Sequence, residues 1–595
     1  MNQMNQQLEQ QSEIDKYNSQ MTIKFKNKVQ KGELCIQRSQ NLTTLEFLQD
    51  FQINKLELRE CNNMVPKLAR STIKELTIQF CKLQNIDSIR LENLENLNVA
   101  GNYELNNCSF ERFKQLKQLD ISNTNRTDIS NLLLPELKIL VLSRNKIEDL
   151  TSLSTLVNLE QLDISYSEGL DINLLEQLQQ LRLLNISYCF VQSINTLKLF
   201  TYLVELDVSG NINIDLSSLK YLVNLKQLNI ACTNTHNIDV LQSLNQLKQL
   251  NISENEIEDI NDLKYLVNLT KLNISETKVQ NIQMLSKLEF LKELDLSKNP
   301  EMNFQPLQKM VLLQNLQLQS NMLKQISFFN ELMNLEYLNL SNNKNLDISP
   351  IYYLVNLTNL DISYCNINDI SSIHLLMNLE VLEISSNSIY DIHHLQNFVK
   401  LTYLNLSYNS VKEISVIKQF ICLKTLCLST NKGINITPIQ YLTQLTALTL
   451  TECDLYEISA LRPLVNLEYL EIGRNNIFFF YPIRDLDVSV DVRFNLIIES
   501  SDFFTFFDTK EKSKFIKKRP NKQQILLASR MKIVDTTTSS IRDINSKRKN
   551  YYYSKKQIVE DTINSFQEKQ HEILLQLTNK VVLLFSLLDE QLFCQ

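Results

Sequence analysis

The sequence predicts a solenoid of the α/β class, with a parallel β-sheet on the concave face, short extended or 3₁₀ segments on the convex side and a C-terminal α-helical tail. An apolar pattern recurs every 22 residues over most of the 595-residue chain, and a fixed period of this length is the signature of a repeat architecture. Only 6 Gly and 9 Pro occur, which argues against hairpin-rich all-β or linker-dominated organisation.

The repeat has the form Leu-x-Leu-x-x-Asn. From residue 162 onward its first leucine recurs at a constant step of 22 residues. These first positions are Leu162, Leu184, Leu206, Leu228, Leu250, Leu272, Leu294, Leu316, Leu338, Leu360, Leu382, Leu404, Leu426, Leu448 and Leu470. The register continues more loosely upstream through Leu34, Leu56, Leu76, Leu97, Leu119 and Leu140, and a degraded copy begins at Val490. We therefore expect about 22 stacked strands.

One unit illustrates the physical basis of the pattern. Leu250 and Ile252 alternate as in a strand with one buried face, and positions two and four of the same strand are expected to face outward. The next apolar residues, Ile257 and then every third residue from Ile260 to Leu269, turn the chain around a narrow core. This return is too short for a full α-helix, so extended or 3₁₀ pieces are expected there.

A polar column follows each strand. It holds Asn102, Asn145, Asn211, Asn255, Asn299, Asn321, Asn343, Asn387, Asn409, Asn431, Asn475 and Asn495, alternating with Cys61, Cys81, Cys189, Cys365 and Cys453 or with Thr124, Thr233 and Thr277. A buried side chain at this place can bond the bare backbone groups of the turn. We therefore interpret the column as a structural ladder that accounts for five of the 11 cysteines.

Stretches such as LVNLEQLDIS, LVNLTKLNISETKVQNI and LVNLEYLEIGRNNI resemble the leucine-rich-repeat family. The likeness is to its 22-residue class, which includes the regulatory subunit of protein phosphatase 1 and the bacterial internalins. The resemblance covers residues 34–497 and implies a leucine-rich-repeat solenoid that binds proteins. Many unrelated binding roles share this scaffold, so the resemblance itself names no partner.

The segments outside the repeats are assigned from composition. Residues 1–20 are polar and Gln/Asn-rich and are expected to form a disordered tail. Residues 21–33, with Ile23, Phe25 and Val29, are predicted to form an N-terminal capping hairpin over the first strand edge. At the other end, the aromatic run 478–481 and an aromatic cap over residues 498–509 are predicted to seal the last coil.

The C-terminal region changes character twice. Residues 510–556 carry 15 Lys/Arg against 3 Asp/Glu, on a chain of net charge −7, and are read as a basic linker, with a nuclear-import or phosphate-binding patch as the alternative. Residues 557–595 form an amphipathic helical pattern. Three uses of that helix stay open, namely packing on a partner helix or self-association, docking onto the solenoid, and binding at a membrane surface.

The sequence contains no recognisable catalytic constellation. The five His do not form a metal-ligand spacing, the glycines do not form a phosphate-binding loop, and no cofactor is expected. No stretch of 18 apolar residues predicts a transmembrane segment. Neither a secretory signal nor a Cys-x-x-Cys pair is present, so we expect an intracellular chain, cytoplasmic or nuclear, with reduced thiols. The chain is thus predicted not to be an enzyme.

Candidate partner-binding residues are those that vary against the fixed framework of the concave face. Those just before the ladder residue are Arg144, Tyr166, Tyr188, Glu254, Glu276, Lys298, Tyr364, Tyr408, Glu452 and Arg474, and those that begin a strand are Tyr337, Tyr403 and Tyr469. Tyrosine and arginine dominate many interfaces. A second, uniform column of Asp and Asn, such as Asp163 and Asn251, could hold backbone amides or basic side chains.

These observations favour a protein-binding scaffold, including a regulatory or targeting subunit of an enzyme such as a Ser/Thr phosphatase, that holds a protein partner on the concave face. The alternative is a nuclear or nucleic-acid-associated adaptor that uses the basic residues 510–556.

Overall fold

The computed structural model describes residues 28–39, 51–61, 72–105, 108–477 and 480–498, except 485, 487, 494 and 496, together with residues 21, 24, 45, 48, 68, 533 and 534. Predictions for residues 1–20, 499–509, 510–532 and 535–595, including the amphipathic helix, lie outside the described residues.

Short parallel strands dominate the described chain. Their bounds are β1 Glu33–Gln37, β2 Lys55–Arg59, β3 Glu75–Gln79, β4 Asn96–Asn98, β5 Gln118–Asp120, β6 Ile139–Val141, β7 Gln161–Asp163, β8 Leu183–Asn185, β9 Glu205–Asp207, β10 Gln227–Asn229, β11 Gln249–Asn251, β12 Lys271–Asn273, β13 Glu293–Asp295, β14 Asn315–Gln317, β15 Tyr337–Asn339, β16 Asn359–Asp361, β17 Val381–Glu383, β18 Tyr403–Asn405, β19 Thr425–Cys427, β20 Ala447–Thr449, β21 Tyr469–Glu471, β22 Ser489–Asp491, β23 Ile497–Ile498 and β24 Ile533–Val534.

Strands β1 to β22 form one parallel sheet in chain order, each paired with the next. Leu34 is in register with Leu56, Leu250 with Leu272, and Leu470 with Val490. The predicted parallel sheet and its leucine register are therefore confirmed. The register holds because the central leucine of each strand is buried, and a slip by one residue would turn it into solvent.

The returns on the other side of the core are 3₁₀ segments, as predicted. Their bounds are Thr151–Thr155, Ile172–Leu175, Asn195–Leu199, Ser217–Tyr221, Asp239–Ser243, Asn261–Tyr265, Gln283–Lys287, Gln305–Lys309, Ser327–Glu331, Ser349–Tyr353, Ser371–Ile373, His393–Leu395, Ser415–Gln419, Thr437–Tyr441, Ser459–Leu461 and Tyr481–Ile483. In one return, the N–H of Leu263 donates to Ile260 and the N–H of Leu266 donates to Leu263. The spacing of three in the sequence is thus the period of the 3₁₀ helix.

Acidic and amide side chains start most of these returns. The Asp259 carboxylate accepts the N–H of Asn261 at 2.8 Å, and Asp215 and Asp347 accept the N–H of a serine two residues later in the same way. These bonds to the charged form lower the pKa of Asp215 and Asp347. The carboxylates of these turns are therefore explained by capping.

The predicted polar ladder is confirmed by its hydrogen bonds. Asn255 accepts the N–H groups of Thr233 and Thr235 at 3.1 and 2.9 Å, and its Nδ2 donates to the carbonyls of Ile230 and Ile252 at 2.9 and 3.0 Å. Each asparagine therefore joins its own coil to the preceding one. Cysteine can take over either half of this role, because Cys189 Sγ donates to the Ile164 carbonyl at 3.2 Å and Cys81 Sγ accepts the N–H of Cys61 at 3.3 Å.

A second asparagine ladder was not predicted. The asparagine in the recurring Leu-Val-Asn-Leu segment donates through Nδ2 to a carbonyl of the preceding coil, as from Asn334 to Val311 at 2.8 Å and from Asn356 to Met333 at 2.9 Å. Asn268 and Asn466 make the same bond. The recurrence of this asparagine was visible in the sequence, and its role follows from the stacking of turns, in which it supplies a donor to a carbonyl of the preceding coil.

The ends of the sheet agree only in part with expectation. A tight turn at Lys31 and Gly32 brings Gln30 and Glu33 into an antiparallel pair beside β1, as a capping hairpin requires, while Ile23 and Phe25 lie outside the described residues. In the aromatic run 478–481, Phe480 is buried but Tyr481 is 66% exposed. Tyr481 opens a 3₁₀ segment, and that position points away from the core.

The chain divides into two units, residues 1–519 and 520–595. Within the second, the structure describes only β24. In the described part of the chain, no helix combines the length and apolar character that a membrane crossing requires.

Replacing one ladder asparagine tests the role of the ladder. Asn255→Ala removes the partner of the Thr233 and Thr235 amides and of the Ile252 carbonyl, at about 1–3 kcal/mol each, so amide exchange at Thr233 and Thr235 should accelerate at least about tenfold in hydrogen-exchange mass spectrometry. Asn330→Ala, at an exposed position of a 3₁₀ segment, is the matched control. Equal exchange in both variants would contradict the assignment.

Three of the ladder cysteines, Cys189, Cys365 and Cys453, should be chemically inert in the folded protein. Burial raises the pKa of Cys189, Cys365 and Cys453 to about 11, so at pH 8 about one thiol in a thousand is ionised. We expect iodoacetamide at pH 8 to modify the exposed Cys35 and Cys422 and to leave the three ladder thiols unmodified until urea is added. Peptide mapping measures each site, and rapid alkylation of a ladder thiol without urea would refute this.

Candidate partner-binding surface

Two residues of each strand, one on either side of the central leucine, place their side chains on the outer face of the sheet, where they are half-buried or exposed. In β12, for example, Leu272 is buried while Lys271 and Asn273 remain accessible. We call the side chains at these two positions, with the residue just before each ladder position, the sheet surface. Its side chains are fixed by the rigid stack beneath them, which favours binding without rearrangement.

The residues just before the ladder positions share an unexpected backbone conformation. All ten candidates from Arg144 to Arg474 have a left-handed backbone, with φ between 52° and 58°. The amide of each is bonded to the next coil, as in Tyr166 N–H to the Ser187 carbonyl at 2.9 Å and Tyr408 N–H to the Ser429 carbonyl at 2.8 Å. Gly101 and Gly210 in the same column, at φ +72°, were the sequence signal for this conformation.

Position four of each strand contributes little exposed surface, although Ser385, Ser407, Ser429 and Thr451 at this position line a hollow on the outer face of the sheet. Ser165, Ser187, Ser253 and Ser297 at this position are buried. Their small side chains lie between the taller side chains of the half-buried column before them and the left-handed column after them. Position four therefore contributes backbone bonds and little surface.

The uniform Asp/Asn column is mainly structural. Asp163 Oδ1 accepts the N–H of Ser165 at 2.9 Å, and Asn251 Oδ1 accepts that of Ser253 at 3.1 Å. Neighbours also bond to each other, as from Asn229 Nδ2 to Asp207 Oδ2 at 2.9 Å. These Asp and Asn side chains accept hydrogen bonds from amides of their own chain. Fewer of their oxygen atoms are therefore left to accept hydrogen bonds from a partner.

The predicted residues form three groups along the solenoid. In the first, the Arg144 guanidinium lies 4.2 Å from the centre of the Tyr166 ring, and Tyr166 stacks on Tyr188 with centroids 4.8 Å apart and planes 6° apart. Tyr188 in turn lies against Gly210, where a Cβ would come within 2.5 Å of the ring. The ring faces in this group are thus occupied by the protein itself.

The second group is a row of charges. Lys298 Nζ lies 2.6 Å from Glu276, and this bond raises the pKa of Lys298. Glu254 is at the same position one coil earlier. The side chains of Lys298 and Glu276 are 59% and 50% exposed, so this ion pair contributes little to stability.

The third group lines a hollow of about 500 Å³ over strands β16 to β21, which brings together Tyr364, Tyr408, Glu452 and Arg474. Its walls are otherwise hydroxyl groups and amides from Ser385, Ser386, Asn405, Ser407, Ser429, Thr430, Thr449 and Thr451, together with Cys427 and Glu471. Arg474 lies 2.5 Å from Glu452. Ser386 and Thr430 were not predicted, because a small residue gives no sequence signal unless its large neighbours are known to line a hollow.

The three tyrosines that begin strands differ in burial and bonding. Tyr403 donates to Glu383 Oε2 at 3.1 Å, and burial followed by that carboxylate raises its pKa. Burial and the nearby Glu471 raise the pKa of Tyr469 to about 12. Burial also raises the pKa of Tyr337. These tyrosines belong to the sheet surface but do not line the hollow.

A further hollow of about 330 Å³ crosses β8 to β12 and is lined by strand residues such as Glu205, Asp207 and Lys271. It contains none of the varied candidate residues, but Asp207 and Asn251 of the uniform Asp/Asn column line it. Within the described ranges, no group of three or more His, Cys, Asp or Glu side chains is arranged to hold a metal ion.

This architecture, a one-layer parallel sheet closed by 3₁₀ returns over ladders of asparagine, is the leucine-rich-repeat fold. Among solved structures, the chain is similar to a leucine-rich-repeat protein of Leptospira interrogans, at 23% identity over 64% of this chain and 96% of that one, with a TM-score of 0.50. That likeness shows the fold.

Two other similar structures have TM-scores of 0.38. One is an internalin of Listeria monocytogenes, at 26% identity over 56% of this chain and 85% of that one. The other is the ectodomain of a plant receptor kinase from Arabidopsis thaliana in complex with a Casparian strip integrity factor, at 15% identity over 78% and 76%. No family model matches the sequence, and no curated protein matches it.

Two glycine substitutions distinguish the cost of a left-handed backbone from the cost of displacing the aromatic stack. Gly210→Ala and Gly433→Ala both place a Cβ on a left-handed backbone, at φ +72° and +71°, but only at Gly210 does the Cβ meet the Tyr188 ring. We expect both to cost about 1–2 kcal/mol of local stability and Gly210→Ala to cost about 0.5–1.5 kcal/mol more by displacing the stack. Hydrogen exchange gives the local free energies, and equal costs would contradict the stacked arrangement.

Proposed function

We propose that this chain is a non-enzymatic scaffold that binds a protein partner on the sheet surface. The observation that supports this is the left-handed column, in which side chains of varied chemistry follow one another coil by coil on an invariant backbone. Specificity can be changed there without changing the core. The candidates are Arg144, Tyr166, Tyr188, Glu254, Glu276, Lys298, Tyr337, Tyr364, Tyr403, Tyr408, Glu452, Tyr469 and Arg474.

Among these, the third group is the best candidate for the centre of the interface. Its four residues line a single hollow that also presents many hydroxyl groups. Exposed tyrosines beside a concave surface are the usual anchors of a protein interface. A scaffold of this kind can serve as a regulatory or targeting subunit of an enzyme, and the resemblance of the repeats makes a Ser/Thr phosphatase the enzyme to test first.

Blocking the hollow tests the proposal. Ser386→Arg and Thr430→Arg fill it, and the left-handed column already accommodates Arg144 and Arg474, so both variants should fold. Each should reduce recovery of the partner from source-cell extract about tenfold or more, as steric and charge mismatch at an interface centre costs at least 1.4 kcal/mol. Cross-linking mass spectrometry and phosphatase assays of the captured fraction measure the loss.

The control is Gln396→Arg, which adds the same side chain at an exposed position just after the 3₁₀ segment His393–Leu395. It should leave recovery unchanged. If it reduces recovery as strongly as the other two, or if none of the three does, the partner does not bind at the hollow.

The second candidate is an adaptor for nucleic acid, favoured by the excess of 15 Lys/Arg over 3 Asp/Glu in residues 510–556. Binding of this kind would weaken steeply with salt, because each neutralised phosphate releases counterions. Self-association through residues 557–595 is a further use of the chain that light scattering would detect.

A further inference from the structure

In the left-handed column, one tyrosine already contacts an arginine side chain of the same column. The guanidinium of Arg144 lies over the Tyr166 ring at 4.2 Å from the centroid, one coil away in the same column. At this distance the cation is attracted by the negative face of the ring, and arginine is the residue that most often makes this contact. The stack therefore shows that the column geometry brings a guanidinium and a tyrosine ring face to face.

Tyr364 and Tyr408 lie in the same column, but no guanidinium of the described residues lies over either ring. Their neighbours one coil on are Ser386 and Thr430, which are too short to reach across a ring. The two rings are 58% and 59% exposed, against 43% and 41% for Tyr166 and Tyr188 in the covered stack. Within the described residues, neither ring stacks on another aromatic ring or lies under a cation.

The electrostatics around these rings favour a cation. Glu452 and Glu471 line the hollow, and Asp361 and Glu383 end strands β16 and β17 beside it. The nearby cations are already engaged, since Arg474 pairs with Glu452 and Arg493 pairs with Asp491. The excess carboxylates attract a positive side chain and disfavour an acidic one.

We infer that the hollow over β16 to β21 binds arginine side chains of the partner, whose guanidinium groups stack on Tyr364 and Tyr408 as Arg144 stacks on Tyr166. This rests on the proposed function and specifies the chemistry of its partner. Arginine fits better than lysine because the guanidinium is planar and less strongly hydrated.

Spacing sets a further requirement on the partner. Tyr364 and Tyr408 are two coils apart, which is roughly 10 Å at the usual strand separation. Residues three apart in a polyproline II segment lie on the same side and span about 9 Å. A partner segment with arginines three residues apart, lying along the solenoid axis, would therefore reach both rings.

The test uses the full chain and the synthetic peptide acetyl-Gly-Arg-Gly-Gly-Arg-Gly-amide, observed by saturation-transfer NMR and by the ring-current shift of its arginine δ protons. The matched probes replace both arginines by citrulline, which keeps the planar shape without the charge, or by lysine, which keeps the charge without the plane. We expect the arginine peptide to bind with upfield-shifted δ protons, lysine to bind more weakly, and citrulline not to bind.

Variants locate the site. Tyr364→Leu combined with Tyr408→Leu should weaken binding of the arginine peptide at least about fivefold and abolish the upfield shift. Ser386→Arg should also block it, by supplying the guanidinium from within the chain. The control is Tyr390→Leu combined with Tyr456→Leu, which removes two rings of comparable exposure, 68% and 65%, outside the hollow, and it should bind as the wild type does.

Three outcomes would overturn the inference. These are no binding of the arginine peptide at millimolar concentration, equal binding of the citrulline peptide, and undiminished binding by the Tyr364→Leu/Tyr408→Leu variant. If one of them occurs while Ser386→Arg and Thr430→Arg still abolish recovery of the cellular partner, the scaffold function stands and only the arginine chemistry is wrong. If partner recovery is also unaffected, the placement of the partner at the hollow fails together with the arginine chemistry.

Discussion

The structure depends on the hydrogen bonds that a buried side chain makes between consecutive coils at the end of each strand. A coil of 22 residues cannot close its own backbone bonds, because three strand residues leave most amides and carbonyls of the turn without a partner. Asn255 satisfies two amides and two carbonyls at once, and no apolar residue could. The buried leucines and the ladder together fix the register in which the coils stack.

The same constraint explains the surface. Once the ladder side chain turns inward, the residue before it must adopt a left-handed backbone so that its amide can reach the next coil. A left-handed conformation costs any residue other than glycine some free energy, and the coil-to-coil bonds offset this in each repeat. The fold therefore does not depend on the outward side chain, which is why Arg, Tyr, Glu and Lys all occur in this column.

The proposed function rests on the difference between covered and uncovered positions of that column. Between Arg144 and Gly210 the side chains stack on their neighbours in the column. Tyr364 and Tyr408 instead alternate with short residues, so their ring faces remain exposed beside hydroxyl groups. Two surfaces built from one repeat thus differ in what they offer to a partner. The contrast arises from the order of residues along the solenoid, and no single strand contains it.

The sequence by itself determined the repeat, its register from Leu34 to Val490, the 3₁₀ returns and the asparagine ladder, because each rests on periodic burial and on local hydrogen bonds that one coil already displays. It also identified which column varies. Only the tertiary structure decided that this column is left-handed, that the serines at position four are buried, that the Asp/Asn column is occupied by its own chain, and that Tyr364, Tyr408, Glu452 and Arg474 share a hollow while Tyr166 is covered. These properties depend on contacts between residues 22 or 44 positions apart, and the pattern within one repeat does not contain them.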